Sequence, residues 1–222
     1  MNYKDKFKDK DKNITLYNMD CMELLKNTED NYYDLAIVDP PYGGHDAINP
    51  KSSTNVYKAK RTNYKEFKNI APHKKYFDEL KRVSKNQIIW GCNFYKNIDL
   101  YGGRLVWDKK GTAFGRAELA YLSMTKSVNI CEIIWNGMLQ QDMKNKEVRI
   151  HPTQKPVKLY EWLLQNYAKE GDKILDTHLG SGSIAIACNR LKYELTACEL
   201  DTEYFEASVK RYKEQTAQIQ MF

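Results

Sequence analysis

The chain alternates short apolar runs with longer amphipathic stretches, and that alternation predicts most of its architecture. Asp34-Leu35-Ala36-Ile37-Val38 and Lys173-Ile174-Leu175-Asp176 have the β-leaning character of strands buried on both faces of a parallel sheet. Strands are predicted at residues 14–17, 35–38, 87–90, 104–107, 119–124, 173–175 and 195–198, with 130–135 as a further candidate. Helical periodicity covers 157–168, where Tyr160, Leu163, Leu164 and Tyr167 fall at i, i+3, i+4 and i+7. Residues 183–191 and 203–215 carry two more helical patterns. Strands alternating with helices imply an α/β fold, a mostly parallel sheet with helices on both faces. Residues 1–13 alternate Lys and Asp and are expected to fray, whereas 42–62 form a long polar loop with Gly43, Gly44 and Pro50.

Composition narrows the class. With 222 residues and a hydrophobic fraction of 42%, the chain suits a single domain, 1–222, with at most a modest insertion. No run of about 18 apolar residues and no signal-peptide pattern is present, so a soluble, intracellular protein is expected, with no membrane partner. The five cysteines form no C-x-x-C pair and the four histidines are scattered, which favours reduced thiols over a disulfide framework and gives no metal site.

The net charge of +6 is concentrated in one place. Between Lys51 and Lys85 there are eleven basic residues against Glu66, Asp78 and Glu79. Tyr57, Tyr64, Phe67, Tyr76 and Phe77 are interleaved with them. A basic, aromatic-rich stretch of this kind suits a phosphate backbone, although a solvated lysine-rich surface has the same composition.

Candidate chemistry lies at two strand ends. Asp39-Pro40-Pro41-Tyr42 closes the first apolar run, and its prolines cannot extend the strand ladder. An acid, a carbonyl and an aromatic ring are thereby held in a stiff array that suits a planar ring bearing an exocyclic amine. Asp39 and the Pro40 carbonyl would accept the amine hydrogens while Tyr42 stacks on the ring. The second phrase, Asp176-Thr177-His178-Leu179-Gly180-Ser181-Gly182-Ser183, joins a strand to a helix through a glycine turn. Glu199, at the end of the next strand, is placed to accept hydrogen bonds from ribose hydroxyls. With neither G-x-G-x-x-G nor the Lys-Ser/Thr of a P-loop, the turn suits a nucleoside cofactor without phosphates.

With His151-Pro152-Thr153-Gln154-Lys155-Pro156 as a third motif, the chain resembles the S-adenosylmethionine-dependent DNA amino-methyltransferases. The catalytic phrase precedes the cofactor turn, which resembles the β-group permutation of that family, and Asp39 in its first position resembles the N6-adenine type. The resemblance implies a Rossmann-like, circularly permuted, seven-stranded sheet with one antiparallel strand. It also implies catalytic roles for Asp39, Pro40, Pro41 and Tyr42. Asp39, Thr153, Gln154 and Lys155 would border the methionine end of S-adenosylmethionine. Asp176, His178, Gly180, Ser181, Gly182 and Ser183 would form the cofactor turn, with Glu199 and Leu200 beyond it and Asp20 near the adenine. Double-stranded DNA is the implied partner, with Lys51, Lys58, Lys60, Arg61 and Lys109 as its contacts.

Two departures stand out. The family has Pro-Phe where this chain has Thr177-His178, and little chain remains for a separate recognition domain. Sequence reading would fall to residues 43–70 and 135–150, or to a second copy in a homodimer. Cytosine N4 methylation, an RNA substrate and a non-catalytic module binding DNA and cofactor are the competing readings.

Overall fold

The structure is a computed structural model that describes residues 2–9, 11–43, 69–111, 115–136 and 138–217. Its strands are β1 (Asp5–Asp9), β2 (Ile14–Asn18), β3 (Tyr33–Val38), β4 (Ser84–Trp90), β5 (Gly103–Asp108), β6 (Ala117–Leu122), β7 (Val128–Glu132), β8 (Lys173–Asp176) and β9 (Glu194–Glu199). Its helices are α1 (Cys21–Lys26), α2 (Lys74–Val83), α3 (Val157–Tyr167), α4 (Ser183–Leu191) and α5 (Thr202–Ala217). The strands form one sheet in the order β1-β2-β9-β8-β3-β4-β6-β5-β7.

All seven expected strands are present. β2, β9, β8, β3 and β4 run parallel, while β6 is antiparallel to both its neighbours, β4 and β5. β3 and β8 are hydrogen-bonded neighbours, pairing Leu35 with Ile174 and Ala36 with Leu175. Their carboxyl ends therefore open side by side. β9 and β2 continue the sheet on one side of this pair and β4 on the other, so the crevice lies where the strand order switches direction.

Two strands extend the sheet beyond seven. β7 pairs parallel with β5 and begins two residues before the candidate 130–135. β1 lies within the stretch expected to fray and pairs antiparallel with β2. Its Lys/Asp alternation suits an edge strand with solvent on its outer face. Phe7 packs edge-on to Tyr212, with ring centroids 5.5 Å apart, and Asp9 accepts a hydrogen bond from the Tyr212 hydroxyl at 2.9 Å.

Helices cover both sheet faces. Leu159, Leu163, Ile184, Ile186, Phe205 and Tyr212 from α3, α4 and α5 pack with Leu16, Ile37, Ile88 and Trp107. Leu24, Leu25, Tyr76, Phe77 and Leu80 from α1 and α2 cover Ala36, Val38, Ile89 and Leu175 on the other side. This revises one part of the basic stretch: Tyr76 and Phe77 are core residues of α2, fully or nearly buried, and do not face a partner. Apolar positions four apart on the helix suit burial of this kind, and α2 buries Tyr76, Phe77, Leu80 and Val83 together. Among the described residues no helix is long and apolar enough to cross a membrane.

Candidate active site

Asp39 leaves β3 with its two carboxylate oxygens already engaged. Oδ1 accepts a hydrogen bond from the Tyr42 hydroxyl at 2.8 Å, and Oδ2 accepts one from Lys155 Nζ at 2.8 Å. Lys155 is buried and also donates to Glu118 Oε2 at 2.7 Å and to the Tyr42 oxygen at 3.2 Å, using all three of its N–H groups. Glu118, on β6, pairs through Oε1 with Lys109. Carboxylate and ammonium thus alternate along Asp39, Lys155, Glu118 and Lys109. Burial pushes the Asp39 carboxyl up and the nearby Glu118 charge adds to this, with Lys155 opposing. Glu118 is also penalised by burial, but the two ammonium groups beside it hold it down to about 2.

The rest of the phrase is braced by residues that the sequence reading missed. Tyr95 donates to the Pro40 carbonyl at 2.8 Å and lies 3.1 Å from that of Trp90. One lone pair of the Pro40 carbonyl is thereby occupied and the other remains for a ligand. Gly91, at φ +68°, lets Tyr42 sit close: a β-carbon there would lie 2.2 Å from Cε1 of Tyr42. Phe94 stacks on Tyr42 with centroids 5.0 Å apart and planes 11° from parallel, while remaining 43% exposed. One face of Tyr42, the residue expected to stack on a ring, is therefore covered by Phe94. The only sequence signal for Gly91, Phe94 and Tyr95 is the Gly-Cys-Asn-Phe-Tyr run that follows β4.

On the β8 side, Asp176 is buried and accepts a hydrogen bond from the His178 backbone N–H at 2.9 Å. Burial pushes its carboxyl up to about 8, and among the described residues no Lys or Arg pairs with it. Gly180 (φ +52°) and Gly182 (φ +72°) turn the chain into α4 in the left-handed region that favours glycine. Glu199 holds this turn, its Oε2 accepting from Gly180 N and its Oε1 from Asp201 N, both at 2.9 Å. Leu200 beside it is 61% exposed, and Asp20 caps α1 by accepting from Met22 N at 2.8 Å. His178 stands edge-on to Tyr76 at 5.5 Å, and burial pushes its pKa down to about 4, so the ring is neutral.

The His151–Pro156 motif bridges the two halves, though not as expected in every residue. Thr153 is exposed and its hydroxyl meets His151 Nδ1 at 3.1 Å. Gln154 is buried and spent on the fold. Its Oε1 accepts from Ile150 N at 2.9 Å, its Nε2 donates to the Val148 carbonyl, and its own carbonyl receives Trp135 Nε1 at 2.8 Å. The Lys155 ammonium lies on the Asp39 side of the site. Lys109 is mostly buried, and its pairing with Glu118 leaves it unsuited to a phosphate contact. Lys51, Lys58, Lys60 and Arg61 lie outside the described residues.

Arg211 ties the cofactor turn to its surroundings. It donates to the Ser181 carbonyl at 2.8 Å, to Ser183 Oγ at 3.0 Å and to Glu147 Oε2 at 2.6 Å. Glu147 Oε1 in turn accepts from Val157 N at the start of α3. Ser181 and Ser183 are consequently buried parts of the turn, and Ser183 Oγ donates to the Lys155 carbonyl at 2.7 Å.

An acid-led phrase and a glycine turn on neighbouring parallel strands, opening into one crevice, define this as a permuted methyltransferase sheet. Residues 106–210 match the family model described as DNA methylase, whose name joins N6 and N4 methyltransferases. It is 26% identical to the type II methyltransferase M2.MboI of Moraxella bovis over 97% of this chain and 93% of that protein. The type II methyltransferase M.HpaI of Haemophilus parainfluenzae is 25% identical over 86% of this chain and 71% of its own length. Among solved structures, the PvuII DNA methyltransferase, described as cytosine-N4-specific, is similar with a TM-score of 0.58 at 16% identity, covering 97% of this chain and 94% of that one. The M1.HpyAVI–SAM complex gives 0.50 at 20% identity, covering 89% and 99%. The two structural likenesses show the shared fold.

Proposed function

We propose that this protein methylates an exocyclic amino group in double-stranded DNA, using S-adenosylmethionine, and that the amine is adenine N6. The observation that carries the reading is the adjacency of β3 and β8, which opens Asp39 and the Asp176 turn into one crevice. The turn fits the cofactor. Asp176 would offer its buried carboxyl to the amino group of the methionine part, Glu199 would take the ribose hydroxyls on the lone pairs left by the Gly180 and Asp201 N–H groups, and Leu200 would give a flat ring an apolar surface. When bound, the cofactor supplies an electrophilic methyl group on a sulfonium centre.

The chain's own residues prepare the nucleophile. The lone pair of an aromatic amine is delocalised into its ring. Hydrogen bonds from that amine to Asp39 and to the free lone pair of the Pro40 carbonyl favour a pyramidal nitrogen aimed along the transfer axis. Holding the two reactants in line replaces a bimolecular encounter. As the amine takes up the methyl group, Asp39 would accept one amine hydrogen as a proton and so leave the methylated nitrogen neutral. The target base must leave its stack to reach this depth, where Phe94 already occupies one face of Tyr42.

Adenine is favoured over cytosine by the aspartate at position 39, the residue by which the chain resembles the N6-adenine type. The test is transfer of labelled methyl groups to mixed-sequence duplex DNA, followed by digestion to nucleosides. Label in N6-methyladenine supports the reading. Label confined to N4-methylcytosine selects the other base, and no label on nucleic acid sinks the enzyme. Asp39→Ala is expected to lower kcat at least about a hundredfold while S-adenosylmethionine still binds. Lost cofactor binding in that variant would reassign Asp39.

A further inference from the structure

Glu118 lies on β6, far in sequence from both phrases, yet its carboxylate meets the ammonium that holds Asp39. Resting on the methyl-transfer reading above, we propose that Glu118 is a positioning residue that acts through Lys155 to set the orientation and proton affinity of Asp39.

The argument begins with counting charges and donors. Lys155 is the cation nearest Asp39 and has three hydrogens to give, to Asp39, Glu118 and the Tyr42 oxygen. A buried ammonium with a single carboxylate would be a tight, self-contained pair. Here the ammonium lies between two carboxylates, 2.8 Å from Asp39 and 2.7 Å from Glu118, so neither has its full charge. Glu118 is the better supported of the two, because Lys109 serves it as well. Asp39 is left as the carboxylate with less than one cation of its own.

That asymmetry suits an acid that must take a proton. Asp39, Lys155, Glu118 and Lys109 together carry no net charge when all are ionised. When Asp39 takes the amine proton, Lys155 keeps Glu118 as its partner, so no buried ammonium is stranded. The sulfonium loses its positive charge in the same transfer, and the total charge of the site is unchanged until the proton departs. Without Glu118, protonation of Asp39 would leave Lys155 buried and unpaired, so the proton would be resisted.

The groups that face Asp39 come from every element packed around it. Tyr42 and Tyr95 approach from the segments after β3 and β4, Tyr160 from α3, Asp176 from β8, Glu118 from β6 and Lys155 from the segment before α3. The tyrosines stay neutral, their hydroxyls pushed up chiefly by burial. Asp176 feels the Asp39 charge across the site and is left intact in every variant below. The charges altered by the single substitutions below are those of Glu118, on β6, and Lys109, directly after β5.

The signs follow. The active form has Asp39 ionised, so the rate falls as pH drops through its pKa. Glu118→Gln removes a negative charge that raises Asp39, so the acid limb of the kcat profile moves to lower pH and the plateau kcat falls about tenfold. Glu118→Asp keeps the charge and is expected to keep the limb in place. Lys109→Met leaves Glu118 more negative and moves the limb the other way, to higher pH. These profiles are measured with saturating duplex DNA and S-adenosylmethionine, alongside equilibrium dialysis of the labelled cofactor, whose dissociation constant should change less than about twofold in Glu118→Gln.

Opposite movements of the acid limb in Glu118→Gln and Lys109→Met, with cofactor binding retained, establish the role. A limb that stays put in both while kcat drops means that Glu118 merely packs the site, and overturns the proposal. If Glu118→Gln fails to fold, the Lys109→Met limb decides alone. Wild-type protein that labels no nucleic acid sinks the methyl-transfer reading itself, an outcome distinct from active protein with unmoved limbs.

Discussion

Asp176 is a carboxyl group buried at the end of β8, where among the described residues the His178 N–H is its hydrogen-bond donor, and burial pushes its pKa up to about 8. At pH 7 it therefore holds its proton in the free protein. A ligand that brings an ammonium group to it favours the ionised form, and binding must expel that proton. Binding of S-adenosylmethionine at pH 7 is expected to release close to one proton, with affinity that rises with pH and levels off above about 8. Calorimetry in two buffers of different ionisation heat measures the release. A value of zero would mean that the amino group goes elsewhere. Asp39 shows the same competition between burial and neighbours but has Lys155 beside it. The two acids of the site are thus set apart by one cation, which the sequence motif places but whose aim only the folded chain reveals.

At the scale of elements, the site depends on segments that contain none of its chemistry. α5 contributes Arg211, which joins the Ser181–Ser183 turn, through Glu147, to the segment leading into α3. Arg211 and Glu147 are both largely buried, with side-chain exposures of 8% and 18%. Removing one partner of such a pair strands the other. Arg211→Met should therefore cost about 3 kcal/mol in urea unfolding and weaken cofactor binding, whereas Arg211→Met with Glu147→Gln should recover part of the loss. Equal stability of the single and double variants would argue against a coupled pair. The helical patterns at 157–168 and 203–215 were legible because each buries one stripe, whereas α4 is buried on all sides over Ser183–Cys188. α1 and α2 escaped notice. α1 is six residues long, and α2 sits inside a run whose lysines dominate its composition.

For the whole molecule, the charge distribution bears on the partner. The excess of +6 is more than supplied by residues 51–85, and part of that excess is spent within the fold. Lys74 pairs with Asp78, Arg82 with Glu79 and Asp30, and Lys85 with Asp34. The eight other basic residues of the stretch are Lys51, Lys58, Lys60, Arg61, Lys65, Lys68, Lys75 and Lys81, and the expected phosphate contacts are the first four. Neutralising Lys58, Lys60 and Arg61 together is expected to weaken duplex binding and reduce the slope of log affinity against log salt by about three. A fluorescence anisotropy titration at several salt concentrations measures the slope, and an unchanged value would remove this set from the interface.

The sequence by itself determined the order of the elements, the two phrases and their places at strand ends. Those follow from local rules: apolar runs make buried strands, prolines end them, and glycines make tight turns. It also carried the resemblance to the DNA amino-methyltransferases, because three motifs occur in a fixed order. The tertiary structure alone decided that β3 and β8 are neighbours, that Phe94 covers Tyr42, and that Glu118 and Lys109 complete the charge chain of Asp39. It also showed Gln154, expected beside the cofactor, hydrogen-bonded to the chain around it, Lys109, expected on DNA, paired with Glu118, and Lys/Asp-rich β1 as an edge strand. Each of these is a contact between residues distant in the chain or a question of which way a side chain points. Pairing across strands and burial settle such matters, and neither has a signature in local spacing.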